Sequence, residues 1–308
     1  MIRHAVGLDV GGTKTTVALG RYDDAAPWDS LELLSQHEMA TGSGRDDPAE
    51  LLGRCTPLIG QYLNADRDAI IGISLGGPLD RCRGVIGSPP HLPGWHGLAI
   101  VDAISTRFGR EAALEHDGVA SALAEARWGA GRGLENVVYL TFGTGLGAGL
   151  ILHGAPYRGR GFSGEIGRTP VQPGSEETYE LYCSGWGLAV RARARGLTDA
   201  EADPRVLAER ARGGEPRARQ LYEESARGLG GLLSLLVNLL NPDCIAIGGI
   251  FTYQRDLLWP RAREYASLGA WPQAWEGCRV VPSALGRRIG HYAGIAAALE
   301  KRFGPPCG

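Results

Sequence analysis

A chain of 308 residues with 44% apolar content is long enough for one large domain or two lobes, each with a real core. Its formal charge of −2 gives no basic bias towards nucleic acid or an anionic membrane surface, and its longest apolar stretches fall short of a membrane span. The opening "MIRHAVGLDV" enters a strand-like run with no signal-peptide pattern, and the six cysteines are scattered without a CxxC pair, which predicts a cytoplasmic protein with reduced thiols.

In chain order, residues 5–20 read strand, glycine turn, strand: "AVGLDV", "GGTK", "TTVALG". "AIIGISLGGPLD" (69–80) is a buried strand running into a Gly-Gly-Pro turn, and the prolines of "PPHLPGWHG" (89–97) demand a loop. "GVASALAEARWGAG" (118–131) is a helix with small residues on one face. Residues 137–154 repeat the opening plan as "VVYLTF", "GTGLG", "AGLILHG". Residues 199–240 read as helical throughout, and "RGLGGLLSLLVNLLNP" (227–242), apolar almost all round, reads as a buried helix ended by Asn241-Pro242. "DCIAIGGIF" (243–251) is a strand with a Gly-Gly turn, and "YAGIAAALEKRFG" (292–304) a last helix. Strands and helices intermix, so the class is α/β, and the two glycine-tipped hairpins suggest two similar halves.

The first hairpin resembles a phosphate loop but is not a Walker loop. Thr13 rather than glycine precedes Lys14, and a strand follows the turn where a helix is required. The dinucleotide fingerprint fails for the same reason. What remains is a tight tip whose backbone N–H groups point at anions, with Asp9 beside it. A carboxylate repels phosphate unless Mg²⁺, directly or through its waters, stands between them. The alternative is a plain hairpin with a solvated aspartate. The second tip, "TFGTGLGAG", favours a split clamp on a metal–nucleotide complex.

With these motifs in hand, the chain resembles the ROK family of sugar kinases, in the actin-like, hexokinase-like ATPase superfamily. "GLDVGGTKT" and "TFGTGLGAGLILHG" are similar to its two phosphate hairpins, and "NLLNPDCIAIGGI" to the segment leading to its adenosine pocket. "PPHLPGW", "EHDGVASALAEARWGAGRG" and "GEIG" are similar to its sugar-site segments. The resemblance implies a two-lobed actin-like ATPase (ribonuclease H-like) fold with ATP and sugar in an interlobe cleft. The small lobe would span 1–115, with a closing helix over 291–308 packing back on it, and the large lobe 116–290. ATP and Mg²⁺ are the implied cofactors, and a homodimer the implied assembly. Asp9, Gly11, Gly12, Thr13, Lys14, Thr141, Gly143, Thr144 and Gly145 would serve the phosphates, with Asp9 ordering Mg²⁺ through water, and Gly248 and Gly249 would turn beneath the adenosine.

Phosphoryl transfer to a hydroxyl needs alignment, charge neutralisation and a base. Asp117 in "LEHDG" matches the family's catalytic aspartate; on the residues alone it reads first as a helix N-cap. Glu165, Glu180 and Gly77 match sugar-site positions, Gly77 being as readily a turn glycine. The departures gather at the sugar site: His91 and His116 stand where the family usually has Asn, and Arg168 where it usually has His. Arg only donates and carries charge, whereas Asn donates and accepts, so an altered sugar preference is expected. Many members also carry a cysteine-rich zinc motif in this region. Here Cys183 is the one cysteine of the interval, and one ligand cannot close a structural zinc site. Trp95 would wall the sugar loop or pack in the core, and "RARARG" (191–196) is expected to be a solvated helix face.

The expected reaction is phosphorylation of a primary hydroxyl, the 6-OH of a hexose or hexose derivative, by ATP. The rivals are a kinase for an unusual acceptor such as an amino sugar or cyclitol, a catalytically weak sugar sensor, and a repressor of the same family. The repressor is disfavoured because the first hairpin begins at residue 5, which leaves no room for a preceding helix-turn-helix.

Overall fold

The two faces of the first sheet are built from residues of different size, and that difference decides what packs on each. A computed structural model describes residues 1–143, 145–172 and 174–306. Thr144 of the expected phosphate set therefore lies outside the described residues. The chain divides into two units. The first holds Met1–Trp128, Pro156–Phe162 and the residues from Arg287 on. Its strands are β1 (Ile2–Val10), β2 (Lys14–Asp23), β3 (Glu32–Ala40), β4 (Ile70–Leu75), the small pair β5 (Leu79–Asp80) and β6 (Val85–Ile86), and β7 (Ala112–His116). Its helices are α1 (Pro48–Leu63), α2 (Ile100–Phe108), α3 (Asp117–Trp128) and the closing α10 (Ile289–Phe303). The main sheet runs β3-β2-β1-β4-β7, with β1, β2 and β3 antiparallel and β1, β4 and β7 parallel.

Side chains alternate across a strand. On one face Val6, Leu8, Val17, Ile71 and Ile73 meet Leu51 and Ile59 of α1 and Ile100 and Ile104 of α2 in an apolar core. The other face carries Tyr22 and Ile70 but is small along its middle, at Ala5, Gly7, Ala18 and Gly72. α10 presses so close there that a Cβ on Gly7 would run into the backbone of Gly294 and Ile295, and one on Gly72 into the Gly294 carbonyl. At the carboxyl end of β1 the register aligns one rung across all five strands: Glu38, Thr16, Asp9, Ser74 and Glu115. This rung is polar from edge to edge, in contrast to the apolar positions that meet α1 and α2.

The second unit, Gly129–Ala155 and Ser163–Gly286, repeats the plan. Its sheet has the order β10-β9-β8-β11-β12, made of β8 (Val137–Phe142), β9 (Leu146–Leu152), β11 (Cys244–Ile247), β12 (Arg279–Pro282) and β10 (Ala155–Tyr157), of which Ala155 alone is counted in this unit. Again an antiparallel hairpin is extended by two parallel strands. Its helices are α4 (Tyr179–Cys183), α5 (Gly185–Ala194), α6 (Pro204–Arg212), α7 (Pro216–Leu240), α8 (Phe251–Gly269) and α9 (Pro272–Gly277). Leu229, Leu232, Leu233 and Leu236 of α7 pack with Leu140, Phe142 and Ile247 of the sheet. Asn241 caps α7 in the left-handed region at φ 45, its N–H bonding the Val237 carbonyl.

Several details differ from the sequence reading. The division falls after Trp128, not at 115, so α3 lies with the first unit. The helical run over 199–240 breaks at Gly213-Gly214, since α6 ends at Arg212 and α7 starts with Pro216 as N1. α7 is not buried all round, because Leu239 is 72% exposed. Arg191 of "RARARG" is not solvated. It lies over the Tyr182 ring and donates to Glu224 and Ser225. Among the described residues no helix is long and apolar enough to cross a membrane.

Candidate functional site

Asp9 ends β1 with its carboxyl enclosed by the polar rung. Ser74 Oγ, its neighbour on β4, donates to Asp9 Oδ1 at 2.6 Å. Burial pushes the Asp9 carboxyl up to about 7, the Ser74 hydrogen bond opposes this, and the nearby Asp117 charge adds to it while Lys14 relieves it. Gly290 at the head of α10 leaves room here, since a Cβ would meet Asp9 Oδ2 and Thr16 Oγ1.

The hairpin tip that follows is latched by a residue the sequence reading passed over. Thr41, fully buried, donates from its hydroxyl to the Gly11 carbonyl at 2.6 Å and from its N–H to the Thr13 carbonyl at 2.9 Å. Its hydroxyl also shares a 3.0 Å hydrogen bond with Thr15. Gly11 N–H bonds the Lys14 carbonyl, closing the turn. Gly12 admits no side chain, because His91 Cβ would lie 2.7 Å from its Cβ. The sugar-site candidate His91 thus rests directly on the phosphate-site candidate Gly12. Lys14 is engaged with Glu38 at 2.9 Å.

Asp117 opens α3, straight after β7. Its Oδ1 accepts from Gly118 N–H at 2.7 Å, and the same N–H lies 3.2 Å from His116 Nδ1. Oδ2 points at Gly76, where a Cβ would stand 2.7 Å away, and takes no hydrogen-bond donor among the described residues. Gly77, at φ +105, is required by the fold itself: a Cβ would meet Pro89 at 2.8 Å. Trp95 is fully buried and donates from Nε1 to the Gly44 carbonyl at 2.7 Å, so it is a core residue.

In the second unit, Thr141 holds the place Asp9 holds in the first. Its Oγ1 accepts from Gly147 N–H at 3.0 Å, across its own hairpin. Gly143 N–H bonds the Gly145 carbonyl, and the Gly143 carbonyl accepts from Gly185 N–H at 2.8 Å. Gly249, at φ +65, lies so close to Phe142 and Gly143 that no side chain fits, and Gly248 N–H bonds the Leu140 carbonyl. Thr141, Gly143, Gly145, Gly248 and Gly249 therefore form one cluster. Glu180 belongs to it too: its Oε2 accepts from Leu146 N–H at 2.9 Å and so fixes the hairpin backbone. Glu165 and Arg168 bracket one short 3₁₀ turn, both exposed, with Arg168 N–H bonding the Glu165 carbonyl at 3.2 Å.

Asp9 fits a hydrated divalent cation: an enclosed carboxylate with one hydroxyl donor and a raised pKa is relieved by a positive charge beside it. Among the described residues no group of three or more His, Cys, Asp or Glu side chains is placed to hold a metal. Cys183 is fully buried, donates to the Tyr179 carbonyl, and burial pushes its thiol up to about 12. The sequence reading also missed Ser74, Gly76, Glu115 and Arg158. Ser74 had a signal, a lone hydroxyl inside "IIGISL"; Arg158 had none.

The chain is 27% identical to a glucokinase of Thermotoga maritima over 97% of this chain and 98% of that one. It is 32% identical to a kanosamine kinase of Amycolatopsis mediterranei over 80% of each. A ROK family glucokinase from Streptomyces griseus, solved in complex with glucose and AMPPNP, is 28% identical, with a TM-score of 0.73 over 97% of this chain and 99% of that one. The model of the ROK family matches residues 5–301, and the chain belongs to that family, with the actin-like ATPase fold of its kinases.

Proposed function

We propose that this ROK sugar kinase transfers the γ-phosphoryl group of ATP to a primary hydroxyl of a hexose or hexose derivative, with Asp117 as the base. One observation carries the reading. Among the described residues Asp117 Oδ2 takes no donor while Oδ1 is fixed by Gly118 N–H, and its charge reaches Asp9 at the hairpin in the same unit. A base needs that combination of one anchored oxygen and one open lone pair. Asp117 takes the hydroxyl proton as the oxygen attacks the γ-phosphorus, and the bond to the β-phosphate oxygen breaks. The tips at 11–14 and 143–145 hold the phosphates through backbone N–H groups. Asp9, supported by Ser74, would hold the hydration shell of Mg²⁺, which when bound neutralises phosphate charge. Glu165 accepts from ring hydroxyls, His91, His116 and Arg168 shape the acceptor site, and Glu180 keeps the second tip in place. The protein would act in the cytoplasm, as a homodimer.

The kanosamine kinase relative favours a second acceptor class, an amino sugar, and the three replaced polar positions support it. ATP consumption screened over hexoses, amino sugars and polyols separates the classes. Asp117→Asn should lower turnover by roughly 10²–10⁴-fold while AMPPNP binding by calorimetry is unchanged. Turnover within tenfold of wild type would remove Asp117 from the base role.

A further inference from the structure

Directly before His116 and Asp117 sits a buried charge cluster that the reaction as described does not use. Glu115 is 3% exposed on β7. Its Oε2 receives Arg158 Nε at 3.0 Å and Nη2 at 2.7 Å, and Arg81 Nε stands 3.1 Å away. Its Oε1 accepts the His116 N–H at 3.1 Å, so the carboxylate ties the Arg158 fork to the backbone entering Asp117. Arg158 Nη2 also reaches Glu300 Oε1 on α10 at 3.0 Å, and Glu300 too is 3% exposed. Burial works against the Arg158 charge, but Glu115 and Glu300 outweigh it and hold its pKa above the ordinary value.

Such a cluster is a poor way to gain stability, because desolvating four charges costs about as much as their attraction returns, and apolar residues of similar volume usually do as well. What it supplies is direction, since a two-nitrogen fork on one carboxylate fixes geometry. Its position also matters. Arg158 lies in Pro156–Phe162, which belongs to the first unit while the chain on both sides belongs to the second. The segment leads on to Glu165 and Arg168.

We propose that Arg158 is a positioning residue for phosphoryl transfer: through Glu115 it fixes the His116–Asp117 backbone and so sets kcat, not nucleotide affinity. This rests on the reading of Asp117 as the base. Arg158→Lys keeps the charge and removes the fork. It should lower kcat about 10–100-fold, as expected for a misplaced reacting group, with KM for ATP within about threefold of wild type. Glu115→Gln, which keeps the shape, should lower kcat by a similar factor, and the double variant should be no slower than the worse single one. Glu300→Gln removes only the contact to α10 and should leave kcat within about threefold. If Arg158→Lys does not fold, Glu115→Gln carries the test alone. Unchanged kcat in either variant, or losses in kcat that follow only the folded fraction and appear equally in Glu300→Gln, would overturn the proposal. Asp117→Asn run alongside tells the two readings apart, since its turnover tests the base whatever Arg158 does.

Discussion

Asp9 and Thr141 stand at the same point of two hairpins in two sheets of the same strand order, and they differ in chemistry. Asp9 is a carboxylate whose partner, Ser74, comes from the next strand, and its enclosure leaves it short of positive charge. Thr141 is a neutral hydroxyl satisfied within its own hairpin by Gly147. The tips are secured differently as well. A single buried residue, Thr41, holds the first from one side. The second is held by a carboxylate, Glu180, and by close backbone packing against Gly185 and Gly249. A duplicated scaffold therefore supports a division of labour, in which one hairpin manages charge and the other manages shape.

If that division is right, Asp9→Asn should have the largest effect, lowering turnover on the order of 10²-fold or more in steady-state assays. It should also change the pH dependence of stability. A carboxyl raised from 3.8 to about 7 favours the fold in its protonated form. That contribution is complete below pH about 4 and is lost as pH rises through about 7. Thermal melts without Mg²⁺ should show Asp9→Asn gaining on wild type between pH 5 and pH 8, and parallel melts at both pH values would refute the assignment. Next comes Thr41→Val, which strips the latch and leaves the Gly11 carbonyl unpaired. Denaturant titration should show a loss of about 1–3 kcal/mol, with a raised KM for ATP. Thr141→Val should be mildest, about 0.5–1.5 kcal/mol, with turnover reduced far less than by Asp9→Asn. Equal losses at Asp9 and Thr141 would erase the distinction between the hairpins.

Both hairpins were legible in the sequence because glycine tips between β-branched runs are local signals. The bulk of the site's support was not, because it comes from register. Ser74 and Glu115 join Asp9 only through parallel pairings between strands some sixty and forty residues apart in the chain, and nothing local specifies those pairings. Arg158 sits in the glycine-rich "YRGRGFSG", which has no period to read. β3 and α1 went unread for different reasons. β3 is an edge strand with mixed polarity on both faces, and α1 carries Pro57 in its interior, which reads as a breaker. Glu180 was legible as a functional acid, but its bond to Leu146 N–H follows from the way α4 meets the β8–β9 turn.

The glycine lane beneath α10 has a consequence for synthesis. Gly7 and Gly72 emerge from the ribosome early, yet the helix that fills the lane, Ile289–Phe303, emerges after the whole second unit. Until then Gly7 and Gly72 lack the helix that fills their lane, although Trp28, Leu31 and Trp128 already pack on the same face, so the first half stays incompletely covered while residues 163–286 are made. The polar rung around Asp9 is laid down once β7 is made, but the head of α10 that comes up against Asp9 at Gly290 arrives last.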